Sequence, residues 1–226
     1  MAGQVGVRHS INHPLEYIKT NVRKYHVSKI IFASSSSVYG NSTAEKFSEN
    51  LECNPISPYA TTKLTAEKLC YTYHYLYNIQ TIILRFFTVY GPRQRPDLAI
   101  HKFTRLILEE KPIQIYGSLD MKRDYTYVSD IMQGIEKSLE YNKTEFEIIN
   151  LGGGNSITLR EMIQIVENAL NKKTILEQVD EQAGDVVQTI SDNTKALQLL
   201  KWQPEVSFKD GIQKFIEWFE NIEMNR

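Results

Sequence analysis

Residues Ser57–Lys63 read Ser-Pro-Tyr-Ala-Thr-Thr-Lys, and they open a long predicted helix that extends to Tyr77. Serine followed by proline is a favoured pair for the N-cap and first turn of a helix. Tyr59 and Lys63 are four residues apart, so their side chains share one helical face within reach of each other. The pair is a candidate for acid–base chemistry, and the alternative makes Tyr59 an interfacial aromatic residue of an amphipathic helix.

Four serines, Ser34–Ser37, lie upstream of this helix and directly precede Val-Tyr-Gly. They follow Lys29–Ala33, a short apolar run that predicts a buried strand. The serines therefore lie at the carboxyl end of that strand, where ligands bind in open α/β sheets. A hydroxyl at a strand end, with a tyrosine and a lysine on the next helix, can move a proton on and off an alcohol. A second Tyr-x-x-x-Lys, Tyr25–Lys29, runs into the strand and is set aside.

The composition excludes several classes of protein. The 226 residues carry 26 Lys and Arg against 27 Asp and Glu, so no basic excess indicates a nucleic-acid partner. Cys53 and Cys70 are the only cysteines and lack metal-ligand spacing, so we expect no metal site and a reducing compartment. No run approaches the roughly 18 apolar residues of a membrane span, and no signal-peptide pattern occurs. These features predict a soluble, cytoplasmic chain without a membrane partner.

Strands and helices are predicted to alternate along the chain. Further strands are predicted at 81–87, 113–116, 124–128 and 146–151, and further helices at 14–24, 97–110, 129–141, 193–200 and 207–220. Ser129 is the predicted cap of one helix, and Thr158 and Glu161 form a predicted capping box that opens another. Such alternation is typical of an α/β fold with a largely parallel sheet.

The sequence lacks the glycine-rich turn by which a dinucleotide-binding fold is usually recognised. That turn joins the first strand to the first helix, where the backbone approaches the pyrophosphate. No Gly-x-Gly-x-x-Gly occurs in the chain. Gly152–Gly154 is followed by Asn-Ser-Ile, which indicates a strand-to-helix turn instead.

Six blocks of sequence together resemble the extended short-chain dehydrogenase/reductase family of NAD-dependent nucleotide-sugar epimerases and dehydratases, most closely the 4-epimerases of UDP-glucuronate and UDP-glucose. In chain order these blocks are Gln4–Arg8, Ser34–Gly40, Tyr59–Lys63, Leu84–Arg93, Lys122–Tyr125 and Ala183–Asp185. The resemblance implies an α/β fold made of the C-terminal part of a Rossmann-like, doubly wound parallel sheet and a smaller α/β lobe for the nucleotide sugar. Residues 1–88 and 124–150 would belong to the NAD-binding part, and residues 89–123 and 151–226 to the UDP-sugar lobe.

The resemblance implies NAD-dependent 4-epimerisation of a UDP-sugar through a 4-keto intermediate. Tyr59 would take the proton from the sugar 4-hydroxyl as hydride leaves carbon 4 for NAD, and Ser35 would relay that proton. Lys63 would place a cation beside the phenol and bond the nicotinamide ribose. The other serines of Ser34–Ser37 are interpreted as turn-forming and capping residues.

The remaining blocks would bind the two nucleotides. Phe86 would lie near the nicotinamide, and Thr88 near the sugar or its phosphates. Arg93, Arg95 and Arg123 are candidates for the diphosphate, because a guanidinium fork matches phosphate oxygens.

Each of these assignments has a competing interpretation or a departure from the family pattern. Surface salt bridges are the alternative for Arg93 and Arg95. Tyr116 would stack near the uracil, but a core position on an alternating strand explains it almost as well. Asp185 would bind the nucleotide ribose, while Gln182 stands where some relatives have an arginine for phosphate.

Two further departures narrow the reaction. Dehydratases of this kind carry Thr-Asp-Glu before Val-Tyr-Gly, because elimination needs an acid and a base, whereas residues 35–37 here are serines. We therefore expect epimerisation rather than dehydration, with decarboxylation of UDP-glucuronate as an alternative. Residue 1 falls after the fourth strand of the family fold, so the N-terminal third with its glycine turn is expected to be missing. A truncated, non-catalytic UDP-sugar-binding remnant is the second alternative.

The resemblance also implies a homodimer, because relatives commonly pair through the tyrosine-bearing helix and the helix before it. Leu69, Tyr73, Leu76 and Tyr77 could form such a face or could belong to the core. The sequence does not separate these two possibilities.

Overall fold

The computed structural model of the protein describes residues 27–179 and 188–223. The predicted helix 14–24 and the blocks Gln4–Arg8 and Ala183–Asp185 lie outside the described residues. The strands are β1 (Lys29–Ser35), β2 (Gln80–Phe86), β3 (Thr88–Tyr90), β4 (Ile113–Tyr116), β5 (Lys122–Tyr127), β6 (Phe146–Leu151), β7 (Ser156–Thr158) and β8 (Leu176–Val179). The helices are α1 (Pro58–Tyr77), α2 (Ala99–Leu108), α3 (Val128–Glu140), α4 (Leu159–Leu170), α5 (Thr194–Leu200) and α6 (Phe208–Trp218), followed by a π-helical turn, Phe219–Glu223.

Three parallel strands in the order β1-β2-β6 form the main sheet. Ser35 is level with Phe86 in the first ladder, and Phe86 is level with Leu151 in the second, so all three strands end at one edge. The central strand β2 is almost wholly buried, as expected of an apolar strand in a parallel sheet covered on both faces. The predicted α/β fold with a parallel sheet is confirmed.

Helices cover both faces of this sheet. On one face, β2 and β6 pack against Ile131 of α3 and Ala196 of α5 around the buried Trp202. On the other face, α1 contacts β1 and β2. Only Ala60 and Glu67 of this 20-residue helix are buried. Apolar packing therefore holds α1 less firmly than it holds the helices on the opposite face.

Two smaller sheets follow the main one in the fold. β3 pairs with β5 in parallel and β5 pairs with β7 antiparallel, while β4 pairs in parallel with β8. Helices α2, α4 and α6 contribute Ile107, Val166 and Phe215 to the apolar core beside these strands. The sequence does not predict β3, β7 or β8, which have only three or four residues each.

Two helix starts obey the local capping rules. Ser57 Oγ accepts a hydrogen bond from the Ala60 amide at 3.2 Å, so the predicted start of α1 is confirmed. Thr158 and Glu161 exchange the reciprocal bonds of a capping box at the start of α4, also as predicted.

The predicted Ser129 cap of α3 is wrong. The helix begins one residue earlier, at Val128, and Tyr127 occupies the N-cap position without a side-chain hydrogen bond. Asp130 in the first turn points to another segment instead, where its carboxylate accepts the amide of Val206 at 3.1 Å. No side chain caps the start of α3, and the first-turn carboxylate bonds to a segment that is distant in the sequence.

Candidate active site

Ser35 is the last residue of β1, at the edge where the three parallel strands end. Its Oγ accepts hydrogen bonds from the amide (3.2 Å) and the hydroxyl (2.9 Å) of Ser37, and thereby caps the short 3₁₀ turn Ser36–Tyr39. These bonds use the acceptor sites of Ser35 Oγ and leave its own O–H to donate. Gly40 ends the turn at φ 64°, where an added Cβ would collide with the Asn54 carbonyl.

Tyr59 and Lys63 lie in the first two turns of α1. Lys63 Nζ donates to the carbonyl of Ala33 at 2.8 Å, two residues before Ser35, and lies 5.8 Å from the centre of the Tyr59 ring. Partial burial lowers the pKa of Lys63 below its ordinary value. The Tyr59 side chain is 57% exposed, so its phenol is open to an incoming molecule. The helix start is thereby attached to the end of β1.

A buried ion pair joins the same helix to the sheet. Glu67, one turn beyond Lys63, accepts hydrogen bonds from Nε (3.0 Å) and Nη2 (2.7 Å) of Arg85 on β2. Burial disfavours the Arg85 cation, but the hydrogen bonds and charge interactions with Glu67 and Tyr39 together outweigh that effect and raise the pKa of Arg85 above its ordinary value. Ser34 donates its hydroxyl to the same carboxylate. The turn-forming interpretation of Ser34 is therefore wrong, because its side chain is committed to Glu67 within the fold.

Arg85 of this ion pair also contacts the turn that Ser35 caps. The Arg85 guanidinium carbon lies 4.8 Å from the centre of the Tyr39 ring, a cation–π arrangement. The Tyr39 hydroxyl donates to Asn150 Oδ1 of β6 at 2.7 Å, and Asn150 Nδ2 donates to the carbonyl of Phe47 at 2.8 Å. Burial raises the pKa of Tyr39 to about 12, so this phenol remains a neutral donor. A continuous polar network thus crosses the ends of β1, β2 and β6.

A groove of about 360 Å³ lies beside α2, β4 and β5. Tyr116, Arg123 and Lys102 are among its lining residues. Tyr116 is not a core residue: Ile115, one position earlier, is buried, whereas the Tyr116 hydroxyl donates to Gln114 on the exposed side of β4 at 3.1 Å. The structure therefore brings Tyr116 and Arg123 together in one groove.

Asp124 lies between the groove residues Arg123 and Tyr125 and is fully buried. Its carboxylate accepts the backbone amides of Gly153–Gly154 and both the amide and hydroxyl of Ser191, the latter two at 2.8 Å. Burial raises the pKa of Asp124, and these hydrogen bonds oppose the shift. The bonds fasten β5, and Arg123 with it, to the turn after β6. Sequence reasoning did not single out Asp124, because the groups that bond its carboxylate are distant in the sequence.

The arginines of the loop before α2 lie outside the residues that line the groove. Arg95 makes a two-pronged pair with Asp97, from Nε to Oδ1 at 3.1 Å and from Nη2 to Oδ2 at 2.8 Å. The hydrogen bond from Arg95 lowers the pKa of Asp97. Asp97 itself lines the groove, so the pair lies at its margin. Arg93 is exposed and has a φ of 65°, in the left-handed region.

Of the other candidate residues, one lies level with Ser35, one lies level with a groove residue, and one falls outside the described residues. Phe86 is half-buried at the end of β2, level with Ser35, and Thr88 begins β3, level with Tyr125 of the groove. Asp185 lies outside the described residues. The sequence analysis missed Glu67 and Arg85, whose contact spans two elements and is not encoded by any local pattern.

The described residues contain neither a metal-binding cluster nor a membrane-spanning helix. Across 27–179 and 188–223, no group of three His, Cys, Asp or Glu side chains could bind a metal ion. No helix in the same ranges is long and apolar enough to cross a membrane.

Fold and site together define an α/β protein with a tyrosine–lysine pair beside the ends of a parallel sheet and a separate polar groove. The family model described as GDP-mannose 4,6 dehydratase matches residues 1–215. The chain belongs to the extended short-chain dehydrogenase/reductase family of NAD-dependent nucleotide-sugar epimerases and dehydratases, as the sequence blocks imply.

Relatives of this chain include several 4-epimerases. UDP-glucuronate 4-epimerase of Thermodesulfobacterium geofontis is 41% identical over 237 residues, which cover 99% of this chain and 72% of that protein. A mutant UDP-glucuronic acid 4-epimerase from Bacillus cereus, solved with UDP-4-deoxy-4-fluoro-glucuronic acid and NAD, matches with a TM-score of 0.88 at 34% identity, covering 97% of this chain and 72% of that one. UDP-N-acetylglucosamine 4-epimerase from Methanobrevibacter ruminantium M1 matches at 0.82 and 28% identity, covering 98% and 75%. The expected Rossmann-like fold is confirmed.

Proposed function

We propose that this protein is an NAD-dependent 4-epimerase of a UDP-sugar of the glucuronate or glucose type. One observation carries the proposal: Lys63 fastens the start of α1 to Ala33, so Tyr59 and Lys63 lie beside the strand that ends in Ser35. The relatives that bind UDP-glucuronic acid and NAD support the same substrate and cofactor.

The residues at the strand ends fit the nicotinamide half of NAD. The Lys63 ammonium can donate to ribose hydroxyls, and half-buried Phe86 offers an apolar surface for the ring. When bound, NAD would accept the hydride from carbon 4 of the sugar and later return it to the opposite face. The exposed Tyr59 side chain, as the phenolate, would take the proton of the 4-hydroxyl and, as the resulting phenol, return it to the 4-keto oxygen. The Lys63 ammonium would stabilise the phenolate before the proton is taken and after it is returned.

Ser35 would relay the proton between the sugar hydroxyl and Tyr59. Because Ser37 supplies two donors to Ser35 Oγ, the O–H of Ser35 is directed away from the turn. This geometry supports a donor role toward the substrate oxygen. The net reaction is an isomerisation, since proton and hydride both return to the sugar.

The groove would bind the UDP part. Tyr116 would stack on the uracil, and Arg123, fixed through Asp124, would contact the diphosphate. Arg93 and Arg95 are further diphosphate candidates, and Thr88, level with a groove residue, would contact the sugar or its phosphates. Asp185, which lies outside the described residues, would bind the nucleotide ribose.

We also propose that two different parts of the chain bind the two ligands. Residues 1–88 and 124–150, with the β1-β2-β6 sheet, would serve NAD, and residues 89–123 and 151–226, with the groove, would serve the UDP-sugar. A homodimer through α1 is supported by the exposed Leu76 and Tyr77 on that helix. A cytoplasmic location is supported by Cys53 and Cys70, both free thiols.

The test is Tyr59→Phe, assayed with NAD and UDP-glucuronate and with UDP-glucose. We expect kcat to fall by about 10²–10⁴-fold, the usual contribution of a general base, while UDP-sugar binding by calorimetry persists. Tyr75→Phe, an exposed tyrosine of the same helix, is the matched control and should keep its turnover. Unchanged turnover in Tyr59→Phe would remove Tyr59 from the mechanism.

The products of the wild-type reaction separate the alternatives. Accumulation of the 4-epimer supports the proposal. Release of CO₂ with a UDP-pentose would assign decarboxylation, and binding of the UDP-sugar without any product would indicate a non-catalytic binder.

A further inference from the structure

We propose that Glu67, Arg85 and Ser34 form a positioning unit that sets the relation between the proton-transfer residues; the inference rests on the 4-epimerase function proposed above. Glu67 follows Tyr59 by eight residues and Lys63 by four, so the three side chains lie along one side of α1. Arg85 is level with Ser34 in the β1–β2 ladder. The unit therefore joins the helix with the tyrosine to the strand with the candidate relay.

Helix α1 needs such a device because its apolar packing is thin. Of its 20 residues only Ala60 and Glu67 are buried, and its apolar contacts come from less buried side chains such as Leu64 and Tyr71, the latter against Phe146. A two-pronged guanidinium–carboxylate pair, in contrast, is satisfied in one geometry only. Both partners are at most 4% exposed, and an unpaired charge at such a depth is strongly unfavourable. The pair thus selects one position of α1 on the sheet.

The last three residues of β1 link the position of α1 to the position of Ser35. Ala33 accepts the Lys63 ammonium and Ser34 donates to Glu67, so the helix is attached at two successive residues. Ser35, the next residue, ends the strand. A shift at Ser34 would therefore move Ser35 relative to Tyr59.

Arg85 also reaches the turn beyond Ser35. Its guanidinium packs on the ring of Tyr39, the final residue of the 3₁₀ turn that Ser35 caps. One side chain thus contacts both α1 and this turn. None of the three residues needs to touch the substrate for this role.

The main experiment is the double variant Glu67→Met/Arg85→Met, because apolar side chains of similar size usually replace a buried ion pair without loss of stability. We expect a melting midpoint at or above that of the wild type and a KM for UDP-glucuronate within about twofold. We expect kcat to fall about tenfold to a hundredfold, the range caused by small misplacements of reacting groups. A double variant that melts like the wild type and keeps its full kcat would overturn the proposal.

A second variant covers the case in which the double variant does not fold. Ser34→Ala leaves the ion pair intact and should lower kcat by about threefold to tenfold without changing KM, whereas Ser34→Thr, which keeps the hydroxyl, should recover it. The matched control is Glu147→Met/Lys195→Met, a helix-to-strand pair at 2.6 Å nearer the start of β6, which should keep its kcat. Wild-type kcat in Ser34→Ala would contradict the positioning role.

Amide hydrogen exchange supplies a readout that needs no turnover. In Ser34→Ala we expect faster exchange in segments 33–37 and 59–66, and unchanged exchange there would overturn the unit. If the wild type converts no UDP-sugar, the 4-epimerase proposal fails by itself, while exchange still decides whether the unit fixes the helix on the strand.

Discussion

Among the described residues, the Arg85–Glu67 and Arg95–Asp97 pairs have almost the same bonding geometry and opposite surroundings. Arg85 binds Glu67 through Nε and Nη2 at 3.0 and 2.7 Å, and Arg95 binds Asp97 through the same atoms at 3.1 and 2.8 Å. The first pair is 4% and 2% exposed, the second 73% and 65%. Water screens the exposed pair and hydrates its members when they separate, whereas the buried pair has no such alternative. Burial, not bond length, determines which pair the fold depends on.

The largest difference is expected in stability. Arg85→Met leaves the Glu67 carboxylate buried and unpaired, so the free energy of unfolding should fall by about 3–5 kcal/mol. The same substitution at Arg95 should leave it almost unchanged, because Asp97 is already exposed to water. Urea denaturation of both variants measures the two values. Equal losses would show that burial does not distinguish the pairs.

The second difference concerns ligand binding, where we expect the exposed pair, and not the buried one, to take part. If Arg95 exchanges Asp97 for diphosphate oxygens, as we propose, Arg95→Met should raise the Kd for UDP about tenfold, the value of one hydrogen bond to a charged group. Asp97→Asn is the control: it weakens the competing partner of Arg95, so UDP should bind as tightly as to the wild type or more tightly. Calorimetric titration with UDP tests both variants. An unchanged Kd in Arg95→Met would leave Arg95 as a surface pair only.

The two pairs also show what the sequence could and could not predict. A surface salt bridge is the sequence-based alternative for Arg95, and the structure pairs this residue with Asp97 of the same loop. Glu67 and Arg85 are 18 residues apart on a helix and a strand, and their contact depends on how these elements pack. No pattern of neighbouring residues predicts such a contact.

The same distinction between local and distant contacts applies to the rest of the fold. Caps whose partners lie within three residues, at Ser57 and Thr158, were predicted correctly. The errors at Ser34 and Ser129 occurred where a distant partner took part: Glu67 binds Ser34, and Asp130, next to Ser129, reaches a distant segment. The uracil role of Tyr116 and the diphosphate role of Arg123 follow from the resemblance to a family and not from any periodic pattern, and both stay predictions.

The smallest effect is the salt dependence of the two couplings, measured by double-mutant cycles. For Arg95 and Asp97 we expect a small but measurable coupling energy in dilute buffer. It should vanish near ~1 M salt, where the Debye length is about 3 Å, comparable to the separation of the charges. For Arg85 and Glu67 the coupling should stay the same at both salt concentrations, because ions do not enter the space between buried partners. A buried coupling that weakens with salt would mean that water reaches the pair, and α1 would then be free to shift on the sheet.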